Sequence, residues 1–181
     1  MEKELEVKVL GLDLEKIEKR IIKLGGKLIA EEKQVNTLID SKDRPIKSFT
    51  DAYLRIRETK DLLNKEERVT LTLKKNISLA GVRENHEFNT EVEDKEVMLA
   101  ILKELGFDKI EVGYKDRRSY QLMEARIDLD KWDEKTYPYP YLEIEVEDLK
   151  QLNEICSILK IPRENISTKS IVELRKELNL I

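Results

Sequence analysis

Glu4-Leu5-Glu6-Val7-Lys8 alternates charged and apolar side chains without a break. Successive side chains of a β-strand point to opposite faces, so Glu4, Glu6 and Lys8 share one face and Leu5, Val7 and Val9 the other. One such strand, taken alone, describes a solvated surface strand. The decisive point is repetition, because most later extended stretches keep the same parity and place both charge signs on one face.

Tyr53–Thr59 sets Arg55 and Arg57 against Leu54 and Ile56. Residues 68–75 set Thr70, Thr72 and Lys74 against Val69, Leu71 and Leu73. A strand from about Val82 to Glu93 carries Arg83, Glu87, Asn89 and Glu91 on one parity. Residues 28–40 and 110–122 also read as extended, the second with Lys115 and Arg117 on one side. Met123–Asp130 sets Arg126, Asp128 and Asp130 against Ala125, Ile127 and Leu129. Tyr141–Glu147 repeats the opening pattern, with Glu143 and Glu145 against Leu142, Ile144 and Val146.

Amphipathic helices fall between these strands. Asp13 caps the first, which runs through Ile17 and Ile21 to a stop at Gly25-Gly26. Asp94 caps a second, with Val97, Met98, Ile101, Leu102 and Leu105 apolar, ended by Gly106. A third, with Leu149, Leu152, Ile155, Cys156 and Leu159, stops before Pro162. Ser170 and Glu173 form a capping box for a terminal helix.

About eight strands can close into a barrel. With apolar helix faces available outside, the economical arrangement is inverted: apolar strand faces point outward and charged faces line the interior. The expected fold class is α+β, an eight-stranded antiparallel β-barrel with a charged lumen. It forms a single domain over residues 1–181, with helices from about residue 148 packed on it. Lumen cations would be Lys8, Arg55, Arg57, Lys74, Arg83, Lys115, Arg117 and Arg126. Lumen carboxylates would include Glu4, Glu6, Glu87, Glu91, Asp128, Glu143 and Glu145. A buried charge is costly unless it is paired or meets a ligand. A metal-bound triphosphate accounts for both signs, since Arg and Lys grip phosphate oxygens while carboxylates hold Mg²⁺ or Mn²⁺.

Composition narrows the alternatives. The 181 residues are 40% charged and 40% hydrophobic, with a net charge of -4, which gives no argument for a nucleic-acid partner. No apolar run approaches a membrane span, and the charged N-terminus is unlike a signal peptide. Cys156 is the only cysteine, so a cytoplasmic setting is expected. His86 is the only histidine and faces away from the charged parity, which excludes a histidine-based triad on that face. Neither a phosphate loop nor a dinucleotide fingerprint occurs. Tyr137, Tyr139 and Tyr141 beside two prolines read as loop packing. Monomer and homodimer both remain open.

The ordered set of Glu4-x-Glu6-x-Lys8, Leu54-Arg55-Ile56-Arg57, Thr72-Leu73-Lys74, Arg83 with Glu87 and Glu91, Lys115-x-Arg117, Asp128 and Glu143-Ile144-Glu145 resembles the CYTH superfamily, the triphosphate tunnel metalloenzymes. The resemblance implies an enzyme acting on inorganic, thiamine or nucleoside triphosphate with Mg²⁺ or Mn²⁺. A hydrolase is expected first, a class IV adenylyl cyclase (a lyase) second, and a non-catalytic polyphosphate-binding module third. It implies Glu4, Glu6, Glu143 and Glu145 as metal carboxylates. Glu87, Glu91 and Asp128 would stand behind them or join them. Lys8, Arg55, Arg57, Lys74, Arg83, Lys115 and Arg117 would hold phosphate, and Glu4, Glu6 and Lys8 would form the catalytic set. Lys8 serves as a base only if its pKa is lowered. The chain departs from the family pattern at Tyr139-Pro140-Tyr141-Leu142, and no tyrosine matches the one some members carry near Asn36-Thr37-Leu38.

Overall fold

The computed structural model describes residues 2–77 and 83–181, with the side chains of 2–4 and 83 outside that description. Alternation dictates the wall. The strands are β1 (Glu2–Val9), β2 (Lys27–Asp40), β3 (Ala52–Asp61), β4 (Glu66–Asn76), β5 (Arg83–Glu91), β6 (Lys109–Leu122), β7 (Ala125–Trp132) and β8 (Tyr141–Val146). They pair in the order β5-β4-β3-β2-β6-β7-β8-β1, and the β5–β1 pairing closes the barrel. All pairings are antiparallel. A ninth, two-residue strand, β9 (Ile166–Ser167), pairs with Lys8 and Val9, beyond the Glu2–Glu6 stretch where β5 pairs.

The inverted polarity is present. Val7, Val9, Ile127, Leu129, Leu142 and Ile144 point outward into a core completed by helices α1 (Leu14–Lys23) and α3 (Leu149–Leu159). Ile17 and Ile21 of α1, and Leu152, Ile155 and Leu159 of α3, fill it. Each such fully buried aliphatic chain contributes about 1.5–3 kcal/mol. A second core joins Ile56, Leu54, Val69 and Leu71 to Met98 and Leu102 of α2 (Lys95–Glu104). Helix α4 (Ile171–Glu177) packs Leu174 against Tyr137 and Tyr141. The caps form as read: Asp13 accepts from Lys16 N, Asp94 from Val97 N, and Ser170 with Glu173 makes the capping box. No helix of the described residues is long and apolar enough to cross a membrane.

Two expectations need correcting. Met123 does not begin a strand; it adopts φ 54° in a tight turn, and β7 starts at Ala125 and runs on to Trp132. The apolar stripe of α2 is split, with Met98 and Leu102 packed while Val97, Ile101 and Leu105 are exposed. Five apolar positions make a stripe wider than the single face that this helix lays on the sheet. Strand β5 is described from Arg83, and Val82 lies outside the described residues.

Gly113 on β6 has a packing reason. A Cβ there would stand 2.6 Å from Thr136 Oγ1 and 3.1 Å from the Trp132 ring. The missing side chain lets the 132–140 connector lie against the barrel.

Candidate active site

Register brings the lumen charges together. Lys8 lies opposite Glu143 and Glu6 opposite Glu145 across β1 and β8. Asp128 lies opposite Glu143, and Lys74 opposite Glu87. These side chains, with Arg55, Arg57, Lys115 and Arg117, line a cavity of about 150 Å³.

Most of the charges are paired. Lys8 Nζ is 2.7 Å from Glu143 Oε1. Arg117 reaches Asp130 at 2.6 Å, Asp128 at 2.5 Å and Glu143 at 2.5 Å. Lys115 donates to Asp130 at 2.8 Å. Lys74 lies 2.8 Å from Glu87 and 3.4 Å from Glu6, and Asn85 donates to Glu6.

Arg55 and Arg57 differ. Neither forms an ion pair with any described residue, although Arg55 is only 9% exposed. Arg55 Nε is buried without a partner. Among the described residues Arg57 has one hydrogen bond, from Nε to Asn36 Oδ1 at 2.9 Å. Burial, then the neighbouring Arg55 and Arg117 charges, push the Arg57 pKa down to about 9. A guanidinium keeps its proton, so the shift registers a cation without enough negative charge around it.

One carboxylate is in the mirror situation. Glu145 forms no ion pair with a described residue. Burial raises its pKa, with Asp128 and Glu6 adding repulsion and Arg126 opposing. Two adjacent carboxylates facing a lumen, one of them uncompensated, are hard oxygen donors that fit Mg²⁺ or Mn²⁺. The described residues do not assemble the expected cluster of four. No three acidic side chains among them converge as a metal cage. Glu143 is engaged by Lys8 and Arg117, and the Glu4 side chain lies outside the described residues, as does that of Arg83.

The expected roles sort accordingly. Burial works against the Lys8 ammonium, but Glu143 and Glu6 outweigh it and its pKa is raised. Lys8 therefore stays cationic in this lumen, contrary to a role as base. Lys115 is an amine whose charge is disfavoured. Burial, Arg117 and Arg57 bring it to about 7 despite Asp130. Glu87 is held at about 2, its burial outweighed by Lys74 and Arg55. Glu91 keeps the lumen parity but is exposed at the far end of β5, beside a second cavity instead of the first. Arg126 bonds Asp128 and Ser119 near the rim. His86 lies outside the lumen, 3.3 Å from Glu84.

Two residues were not anticipated as part of the site. Asp130 is fully buried and anchors both Lys115 and Arg117. Its signal was present, since it shares parity with Asp128. Asn36 is 1% exposed and faces the cavity from β2. Its signal was the alternation of Glu32, Gln34 and Asn36, all buried. Tyr141 also lines the cavity, held by a 2.9 Å hydrogen bond from Trp132 Nε1. Tyr137 and Tyr141 are buried packing residues, while Tyr139 is exposed.

This closed barrel with an ion-lined lumen matches the family model described as the CYTH domain over residues 2–173. The chain belongs to the CYTH domain family. A Methanocaldococcus jannaschii protein, whose name assigns it provisionally as an adenylate cyclase, is 31% identical over 179 residues, covering 95% of this chain and 98% of that protein. The solved structure of PH1012 from Pyrococcus horikoshii superposes with a TM-score of 0.77 at 27% identity, covering 94% of this chain and 98% of that one. A Hippeastrum protein, provisionally an adenylyl cyclase and described as revealing a dominant triphosphatase activity, shares the fold with a TM-score of 0.63 at 15% identity, covering 94% and 91%.

Proposed function

We propose that this chain is a divalent-metal-dependent phosphohydrolase acting on a triphosphate. The observation that carries the reading is the pair Arg55, buried, and Arg57, half-buried, which face the lumen without a carboxylate partner among the described residues. Such cations persist at a cost unless a bound anion offsets it. Their planar, multi-donor heads suit phosphoryl oxygens.

Arg55 and Arg57 from β3 would hold one side of the phosphate chain, with Lys74 beside them. Lys8, Lys115 and Arg117 would hold the other. Asp128 and Asp130 fix Arg117, so this donor is preorganised and needs little rearrangement as charge shifts. Glu6 and Glu145, with Glu4 and Glu143 as the family resemblance implies, would hold Mg²⁺ or Mn²⁺. When bound, that ion supplies charge neutralisation at the phosphates. Lys115, rather than Lys8, is the lumen amine suited to exchange a proton near neutral pH. The uncompensated Glu145 argues against a purely anion-binding module, which needs no such carboxylate.

A second reading, class IV adenylyl cyclase, is favoured by the name of the 31% identical relative. The two share a lumen and differ in which phosphorus is attacked. Incubation with ATP and Mg²⁺ or Mn²⁺, with inorganic triphosphate in parallel, separates them. ADP with phosphate, or breakdown of inorganic triphosphate, supports hydrolysis. Cyclic AMP with pyrophosphate supports the cyclase. No turnover under either metal refutes both.

A further inference from the structure

Asn36, 1% exposed, accepts a hydrogen bond from Arg57, and its amide has only one way round. Arg57 Nε carries a proton and accepts nothing, so the atom facing it at 2.9 Å must be the amide oxygen. The Nδ2 group is therefore turned the other way. It is buried and has no hydrogen-bond partner among the described residues, on a residue that lines the lumen cavity. A buried donor without a partner is costly. It adds to Arg55 Nε, another buried donor without a partner on the adjacent strand. Asn36 lies directly opposite Arg57 across β2 and β3, so the two side chains occupy one level of the lumen.

The residue type is informative. An aspartate at position 36 would complete an ion pair with Arg57 and remove its uncompensated charge. Lumen arginine Arg117 is treated in that way, by Asp128 and Asp130. Asparagine orients the guanidinium through Nε while leaving its charge available and adding an N–H donor. It does so at the level where Arg57 meets the cavity.

We infer that Asn36 is a substrate-binding and positioning residue. Its Oδ1 fixes the Arg57 guanidinium, and its Nδ2 donates to a non-bridging oxygen of the same phosphoryl group that Arg57 holds. This rests on the triphosphate reading above, and the test separates the two.

The experiment is calorimetric titration of the full chain with inorganic tripolyphosphate in EDTA at pH 7.5, alongside thermal unfolding without ligand. Asn36→Asp should weaken binding at least tenfold and raise the unliganded melting temperature, because the new carboxylate takes the place of the ligand. Asn36→Ala should weaken binding about 3- to 30-fold without lowering the unliganded melting temperature. A residue with a merely structural role would move the two quantities in the same direction. Binding within twofold of wild type in Asn36→Ala overturns the inference, even if Asn36→Asp fails to fold. So does a lowered melting temperature in a folded Asn36→Asp. If wild type binds tripolyphosphate neither in EDTA nor when the titration is repeated with Mg²⁺, the triphosphate reading fails first and the inference falls with it.

Discussion

Replacing Arg57 by alanine should leave the empty protein no less stable while removing most of its response to ligand. A guanidinium pKa brought from 12.5 to about 9 corresponds to roughly 5 kcal/mol set against its charged form, at about 1.4 kcal/mol per pKa unit. Relaxation and water at the cavity reduce that to about 1–2 kcal/mol of recoverable destabilisation. The lost bond to Asn36 returns about 1 kcal/mol in the other direction. The unliganded melting temperature of Arg57→Ala should then equal wild type or exceed it by up to about 4 °C. Ligand reverses the ranking. At 100 times its Kd, a triphosphate stabilises wild type by about 2.7 kcal/mol, or about 5–10 °C for a chain of this size. Losing about 3 kcal/mol of affinity, two charge-assisted bonds, leaves the variant roughly 0.3 kcal/mol and a shift of about 1 °C at the same concentration. Arg57→Lys should fall between, losing about 1–3 kcal/mol, because an ammonium cannot reproduce planar bidentate contacts. The assay is thermal unfolding with and without tripolyphosphate, paired with turnover. Equal ligand-induced shifts and equal turnover in wild type and Arg57→Ala would place Arg57 outside the site.

Other consequences follow from the same charges. Lys115 has a folded pKa of about 7, below its ordinary 10.5. The unfolded chain therefore binds the extra proton between those values, and this residue's contribution to stability should rise with pH from about 7 to 10.5. Lys115→Met should flatten that part of the unliganded stability–pH curve, and an unchanged curve would contradict the assignment. Glu145 is shifted upward, so Glu145→Gln should raise unliganded stability slightly at pH 7 while reducing metal-dependent turnover at least tenfold. Glu6→Gln should also lose metal-dependent turnover, and retained turnover in both variants would remove this pair as the metal site. In the outer core, Ile155→Ala should cost about 2–5 kcal/mol, read by denaturant unfolding. A loss under 1 kcal/mol would mean that α3 is not a structural wall of the barrel.

Parity made the architecture legible, because period-2 alternation is a local property that survives folding. Glu6, Lys8, Arg55, Arg57, Lys74, Lys115, Arg117, Asp128 and Glu143 meet in one cavity as their alternation requires. Parity does not report depth along the barrel axis, so Glu91 was grouped with Glu87 although it lies beyond the cavity. Nor does it report partners. That Lys8 is held cationic by Glu143 while Lys115 is not depends on cross-strand register and on Arg117. Asn36 shares the parity of Glu32 and Gln34, but an uncharged amide does not show its role until its cross-strand neighbour is known to be an arginine lacking a carboxylate among the described residues.

If this lumen holds a triphosphate at Arg55 and Arg57, with a metal at its carboxylates, a crystal structure with tripolyphosphate and Mn²⁺, the ion located by anomalous scattering, should show it. Phosphoryl oxygens are expected on Arg55 and Arg57, and the manganese signal beside Glu6 and Glu145. A lumen whose Lys8–Glu143 and Arg117–Asp130 pairs are unchanged, with phosphate and manganese bound only on the outer surface, would contradict it.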